Sequence, residues 1–185
     1  MTIRDQRREA ALDRIADHLQ REGLEGATLR AMAAAAGTSD RMLLYYFADK
    51  DELLASALGR VAGRMAVLLD RAVPGEGALE RQALLESVWS AAAESALAPF
   101  MRLWIEIAAA AARGREPYRA VAGAIADGFR AWLAQRLVAP NGVDPDAQAA
   151  RLLATIEGLL LLDAVGRRSM ADQAVAGEAA SPLAG

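Results

Sequence analysis

Apolar positions recur with helical spacing almost from the start of this 185-residue chain. Leu12, Ile15, Ala16 and Leu19 stand at i, i+3, i+4 and i+7, which predicts a helix from about Arg4 to Arg21. Gly23 and Gly26 end it, and Leu24 between them can plug a small core. The same spacing returns at Leu29, Met32, Ala33 and Ala36, behind Thr28, whose hydroxyl suits an N-cap. Gly37 follows, where a helix closes in the left-handed conformation. Ser39 can then cap a third helix from Asp40, in which Leu43 and Phe47 share the inward face with Leu44 at its edge. Small Ala33, four residues before Gly37, lets that helix cross closely, the steric need of a helix-turn-helix.

A fourth helix is predicted over about Asp51 to Val73, with Asp51 and Glu52 in its first turn as the helix dipole prefers. Leu54, Leu58, Val61, Met65 and Leu68 form one face, able to pack on both the preceding unit and the body behind it and so to act as a lever. Pro74 to Gly77 is a break. Helices over Leu79 to Leu97 and Phe100 to Ala112 are divided near Pro99, and Gly114 to Pro117 breaks the chain again. A long helix is expected from Tyr118 to Val138, ending before Pro140-Asn141-Gly142. The next, Pro145 to Val165, is strongly apolar, Met170 to Val175 reads as a short last helix, and Ser181 to Gly185 reads as disordered. No internal repeat is visible.

Composition agrees with an all-α fold: alanine is abundant, aromatics are 5% of the chain, and runs rich in Val, Ile and Thr are missing. With no cysteine and one histidine, disulfides, thiol nucleophiles and multi-histidine metal sites are excluded, and no metal or cofactor is expected. His18 lies beside the stripe of the first helix and reads as a boundary residue. The net charge of −3 does not advertise nucleic acid, and residues 1–50 hold eight basic and eight acidic side chains. Affinity for DNA would depend on where those charges sit. No charged-then-apolar leader opens the chain and no apolar run reaches membrane-span length, so the expected compartment is the cytoplasm, with no membrane partner.

The chemistry concentrates in the third helix. At about 100° per residue, Arg41, Met42, Tyr45 and Tyr46 point away from Leu43 and Phe47. Tyr hydroxyls and Arg can bond phosphates, and Arg can also read guanine edges. Lys50 opens the following helix, where a cation and free amides together suit a phosphate. The alternative is an ordinary helical hairpin whose aromatics pack on another helix. Arg4, Arg7 and Arg8 can reach a phosphate or simply form a solvated helix start.

The segment G-T-S-D-R-M-L-L-Y-Y-F-A-D-K-D-E-L-L, Gly37 to Leu54, resembles the signature of the tetracycline-repressor-like (TetR) transcriptional regulators, and T-L-R-A-M-A-A-A-A-G before it is similar to that family's second helix. The resemblance is specific over the first third of the chain and architectural beyond it. It implies a three-helix DNA-binding domain over residues 1–50 and a larger effector-binding and dimerisation domain over 51–185. By position, Thr28 and Arg30 would touch the DNA backbone or a nearby base, with Ser39 at the head of the recognition helix. Arg41, Met42 and Tyr45 would face the major groove, and Tyr46 and Lys50 would hold phosphates. Two departures stand out. Leu44 replaces a frequent tyrosine, so one phosphate contact is absent or moved to Tyr45. Asp40 suits the helix dipole but repels phosphate, and can instead accept from a cytosine amino group.

In the family the central helices enclose an apolar cavity for a small-molecule effector. Trp89, Phe100, Trp104, Phe129 and Trp132 would line it, with Glu94 and Glu106 as polar anchors that favour a cation. Core packing is the alternative for the aromatics, and plain solvent exposure for the carboxylates. The helix over Asp146 to Val165 is too apolar for a free surface, and its Glu157-Gly158 resembles a family position. Leu152, Ile156, Gly158, Leu159 and Leu160 are therefore expected at a two-fold homodimer interface, with burial inside one chain as the alternative. The function expected is a homodimeric repressor released from a palindromic DNA operator by its effector. A helical ligand-binding or adaptor protein without DNA activity is the second reading. An enzyme fits worst, because no nucleophile–base set or phosphate loop is recognisable.

Overall fold

The structure, a computed structural model, describes residues 2–73, 77–138 and 143–180. The regular elements among them are α1 (Ile3–Glu22), a 3-10 turn (Gly23–Gly26), α2 (Leu29–Ala36), α3 (Asp40–Tyr46), α4 (Lys50–Ala72), α5 (Arg81–Ala92), α6 (Ala98–Ala112), α7 (Tyr118–Ala134), α8 (Pro145–Ala164) and α9 (Arg168–Ala180). The fold is all-α, as expected. The chain forms two compact units, Met1–Ala66 with Pro99–Ile125 and Val67–Ala98 with Ala126–Gly185.

The first unit is organised by α1, which packs on α2 and on the 3-10 turn, while α2 packs on α3. The four residues of the α1 stripe, Leu12, Ile15, Ala16 and Leu19, are buried with Met32, Ala33 and Ala36 of α2 and with Leu43 and Phe47. Both predicted caps form: Thr28 Oγ1 accepts from Ala31 N at 3.2 Å, and Ser39 Oγ from Met42 N at 3.3 Å. Gly37 has φ +68° and ψ +36°, the left-handed closure that a side chain would strain. Arg14 Nη1 donates to the Ala36 carbonyl at 2.9 Å, satisfying an orphan acceptor at the end of α2. The Gly26 carbonyl accepts from His18 Nε2 at 3.1 Å, so the single histidine is a half-buried structural group.

In the second unit α8 packs on α9 and α5, and α5 on α9. Leu84, Leu85, Val88 and Trp89 are buried there with Leu152, Ile156, Leu159 and Leu160 of α8 and with Ala171 and Val175 of α9. Polar ties reinforce this core: Arg81 Nη2 donates to Thr155 Oγ1 at 3.1 Å, and Gln82 Nε2 to the Val175 carbonyl at 2.9 Å.

Three boundaries differ from the pattern-based expectation. Helix α5 stops at Ala92 rather than Leu97, and tight turns carry residues 93–97 before α6 starts at Ala98. Pro99 cannot continue a helix from behind but fits a first turn, where its missing N–H has no partner to lose. Helix α7 ends at Ala134 rather than Val138, because Leu79 N donates to the Arg136 carbonyl and Val138 N to the Leu79 carbonyl, at 2.7 and 2.9 Å. Helix α9 is longer than Met170 to Val175, since its buried Ala171 and Val175 dock it along a face of small residues. The breaks expected at Pro74 and Pro140-Asn141-Gly142, and the tail Ser181 to Gly185, lie outside the described residues.

Leu43→Ala should destabilise the protein by about 2–5 kcal/mol in urea unfolding, as deletion of a fully buried leucine does. Leu44→Ala, one residue on and outward-facing, should stay within about 0.5 kcal/mol of the parent. Equal costs would mean that α3 is rotated from the register described.

Candidate nucleic-acid interface

Helix α3 has only seven residues, so its orientation is set by what it buries. With Leu43 and Phe47 anchored, the helical rotation turns Arg41, Met42, Leu44 and Tyr45 to solvent. Tyr45 is 60% exposed, and with Ser39, Arg41, Met42 and Leu44 it lines an open surface depression. Tyr46 differs from its neighbour: it is half-buried, and its ring stands edge-on to Tyr45 with centroids 5.6 Å apart. Thr28, Arg30, Ser39, Asp40 and Lys50 are all exposed. The surface thus combines a guanidinium, a phenol and two apolar side chains, the mixture that can bond phosphates and base edges and contact a thymine methyl.

The start of α4 is more occupied than expected. Glu52 N donates to Asp49 Oδ1 at 2.8 Å, as to an N-cap, and Ala48 N to Glu52 Oε2 at 2.6 Å. What remains there for a phosphate is the Lys50 ammonium with the amides of Lys50 and Asp51.

The formal neutrality of residues 1–50 also acquires a spatial meaning. Glu9, Asp13 and Asp17, spaced by four along α1, face Arg60 and Arg64 of α4. Arg60 pairs with Glu9 and, at 3.1 Å, with Asp13; Arg64 pairs with Asp13 at 3.0 Å and Asp17 at 2.6 Å. Three of the eight carboxylates are therefore neutralised by arginines from beyond residue 50. Among the described residues the side chains of Arg7, Arg30, Arg41 and Lys50 engage no partner.

Arg4 and Arg8 of α1, expected either to reach a phosphate or to form a solvated helix start, instead make contacts that had no local signal in the sequence. Arg4 Nη2 donates to the Tyr45 carbonyl at 3.1 Å, and its guanidinium lies 4.8 Å from the centre of the Tyr45 ring. One turn further, the Arg8 guanidinium lies 4.5 Å from the centre of the Phe47 ring. The first turn of α1 is held by a capping box in which Asp5 N donates to Thr2 Oγ1 at 3.1 Å and Thr2 N to Asp5 Oδ2 at 2.8 Å.

The residues expected around an effector divide between the units. In the second, Trp89 is buried, donates from Nε1 to Asp172 at 2.8 Å and carries the Arg168 guanidinium 4.7 Å from its ring centre. Trp132 stands 5.6 Å from Phe129 and donates to Asp70 at 2.7 Å, while Glu94 is exposed in the turn after α5. In the first unit Phe100 is buried and Trp104 half-buried. Glu106 accepts from Leu24 N at 2.6 Å and edges a cleft of about 400 Å³ with Arg102, Leu103 and residues 20–23. Of the residues expected at a dimer interface, Leu152, Ile156, Leu159 and Leu160 are buried inside the protomer, whereas Gly158 is exposed. The outward row of α8 is instead Ala147, Ala150, Ala154, Gly158, Leu161 and Val165, a continuous stripe at helical spacing.

The family model described as bacterial regulatory proteins, tetR family, matches residues 11–57, from α1 into α4. The chain is also 31% identical over 147 residues to the HTH-type transcriptional regulator PksA of Bacillus subtilis (strain 168), across 75% of this chain and 69% of that protein. The chain belongs to the tetR family. Among solved structures, a Streptomyces coelicolor A3(2) protein superposes with a TM-score of 0.71 at 27% identity, covering 92% of this chain and 96% of that one. A Saccharomonospora viridis protein, solved in complex with choline, gives 0.64 at 20% identity, covering 94% and 95%. This tetR-family chain is a DNA-binding transcriptional regulator, and no described helix is long and apolar enough to cross a membrane.

In this tetR-family protein the capping box ties the first turn of α1 to pH. The Thr2 N–H, then the Thr2 hydroxyl, hold the Asp5 carboxyl below its ordinary value, with smaller help from Arg4 and Arg8. A depressed carboxylate stabilises the fold above its unfolded pKa, and that contribution fades as pH falls through the lower folded pKa. The first turn of α1 should therefore fray only at pH below the usual aspartate range. In an NMR titration, Thr2→Ala should raise the Asp5 midpoint; an unchanged midpoint would mean the box is not formed in solution.

Proposed function

We propose that this regulator is a homodimeric repressor that holds a palindromic operator and releases it when a small-molecule effector binds. The observation that carries the DNA reading is the exposure of Arg41, Met42 and Tyr45 on a helix locked from behind by Leu43 and Phe47. In this reading those three enter the major groove, Tyr46 and Lys50 hold phosphates, and Thr28 and Arg30 reach the backbone or an adjacent base. Ser39 fixes the head of the helix, and Asp40 accepts from a cytosine amino group. The protein acts in the cytoplasm, on duplex DNA.

The dimer reading rests on the outward stripe of α8. A Cβ added at Gly158 would meet nothing within 4 Å in the protomer, so the glycine answers no need of its own chain. Small residues there let a second α8 approach closely, and a two-fold pair of recognition helices matches a palindrome. Phe129 and Trp132, 5.6 Å apart in the second unit, supply the aromatic surface for the effector. Glu106 is engaged by Leu24 N, which leaves Glu94 as the freer anchor and favours a cationic ligand. The choline bound by the Saccharomonospora viridis protein of similar fold supports that class. The effector acts only through its differential affinity for the DNA-competent and released poses.

Selection of duplexes from a random pool should return a palindrome. On that duplex, Lys50→Ala should weaken binding to every sequence and reduce the slope of log affinity against log salt by about 0.9. Arg41→Ala should instead cost about 1–3 kcal/mol at one base pair and relax preference there. A salt-insensitive interaction with no preferred duplex would return the chain to the adaptor reading.

Gly158→Trp should leave thermal stability near that of the parent while converting dimer to monomer in sedimentation equilibrium. A variant that remains dimeric would remove α8 from the interface.

A further inference from the structure

We propose that Arg4 is a specificity-determining positioning residue, which presets Tyr45 for the base pairs it meets and does not serve as a phosphate ligand. The inference rests on the placement of Tyr45 in the major groove and deepens it. Arg4 lies outside residues 11–57, so the family match says nothing of it.

Three observations converge on this side chain. A seven-residue helix leaves its last carbonyls without intrahelical partners, and Arg4 donates to one of them, that of Tyr45, at 3.1 Å. A cation at that end of a helix also suits its dipole. The same guanidinium then covers the Tyr45 ring, so one side chain fixes both the backbone and the rotamer of one residue. Finally, Arg4 is itself held in place, because it sits in the helical turn closed by the Thr2–Asp5 capping box, 41 residues away along the chain from its target.

Tyr45 needs such support. It is the most exposed aromatic on α3, and its ring stands edge-on to Tyr46. A tyrosine free to rotate would lose that freedom on docking, at a cost to every complex. Held over Arg4, it meets the groove in one orientation, and base pairs that do not fit that orientation are penalised. Arg8 works in parallel on the next residue but one: it covers the Phe47 ring and pairs with Glu52 at 3.8 Å, fixing the exit of α3 against α1. Arg7, between them, engages no partner among the described residues and is the cation of this turn left for a phosphate.

The test uses the full chain, the duplex it enriches from a random pool, and that duplex changed one base pair at a time. Affinities are measured across a salt series for the parent, Arg4→Ala, Arg4→Lys, Tyr45→Ala and the Arg4→Ala/Tyr45→Ala double variant, with thermal unfolding as the folding control. Arg4→Ala should weaken the selected duplex about two- to fivefold, the range of an exposed cation–π contact. The loss should fall at the base pairs that Tyr45→Ala relaxes, should leave the salt slope unchanged, and should vanish in the Tyr45→Ala background. Arg4→Lys, which keeps the charge but loses the planar stack, should recover only part of the loss. A slope reduced by about 0.9 with uniform weakening would make Arg4 a phosphate ligand and overturn the proposal. Equal effects of Arg4→Ala in both backgrounds would overturn it as well. A parent with no preferred duplex would bring down the groove assignment and this inference together; a parent that discriminates while the cycle is additive removes this inference alone.

Discussion

The burial of Leu43 and Phe47 against a small helical core is the contact on which the exposed face of α3, proposed to read DNA, depends. Two turns of helix do not persist alone in water, and stability must come from packing one face. The core that receives α3 is assembled in sequence order, with α1 packing on α2 and α2 on α3. Small Ala33 and Ala36 keep α2 slim, and Gly37 turns the chain in a conformation closed to other residues without strain. Once Leu43 and Phe47 are in place, the identity of the exposed side chains follows from rotation alone. Mutation of that buried pair would misplace all the proposed readers at once, while mutation of an exposed side chain would leave the scaffold intact.

Charge is arranged by the same scaffold. Each exposed ion pair between α1 and α4 contributes little by itself, but Asp13 accepts from both Arg60 and Arg64, so the pairs form one connected ladder. Its consequence is as much electrostatic as structural. Carboxylates that would weaken attraction to DNA are matched on a helix face given over to α4, while unpaired cations lie on the helix-turn-helix and at the head of α4. A sum over residues 1–50 therefore understates the local attraction, because the partners of those acids come from residues 60 and 64.

Much of this was legible in the sequence because the deciding interactions are local. Thr28, Ser39 and Gly37 act on amides and dihedrals within three residues of themselves, and the stripe of α1 is a period-3.6 pattern within one helix. The misplaced boundaries have non-local causes. The end of α7 is set by pairing with Leu79, more than fifty residues earlier, and no window over 118–138 contains that information. The contact of Arg4 with Tyr45 is hidden for the same reason. Helix α8 shows a different limit: it is apolar on two sides, so composition marks it as covered without saying which side the protomer covers. Large Leu152, Ile156 and Leu159 went inward, and the outward side carries mainly alanine and glycine.

The two departures from the family pattern in α3 fit together when its head is considered as an anion site. Helix N-termini commonly receive a phosphate, through free amides and the positive end of the dipole. Here the Met42 amide is already taken by Ser39, and Asp40 adds a carboxylate in the first turn. A phosphate about 4 Å from that carboxylate would be repelled by about 1 kcal/mol even in bulk water. In the proposed docking, phosphate anchoring therefore moves to the flanks of α3, to Lys50 with its two free amides on one side and to Thr28 and Arg30 on the other. Flanking anchors leave the head and middle of the helix free to face base edges. That is where Leu44, 45% exposed in place of a frequent phosphate-binding tyrosine, joins Met42 in an apolar patch matched to thymine methyl groups rather than to the backbone.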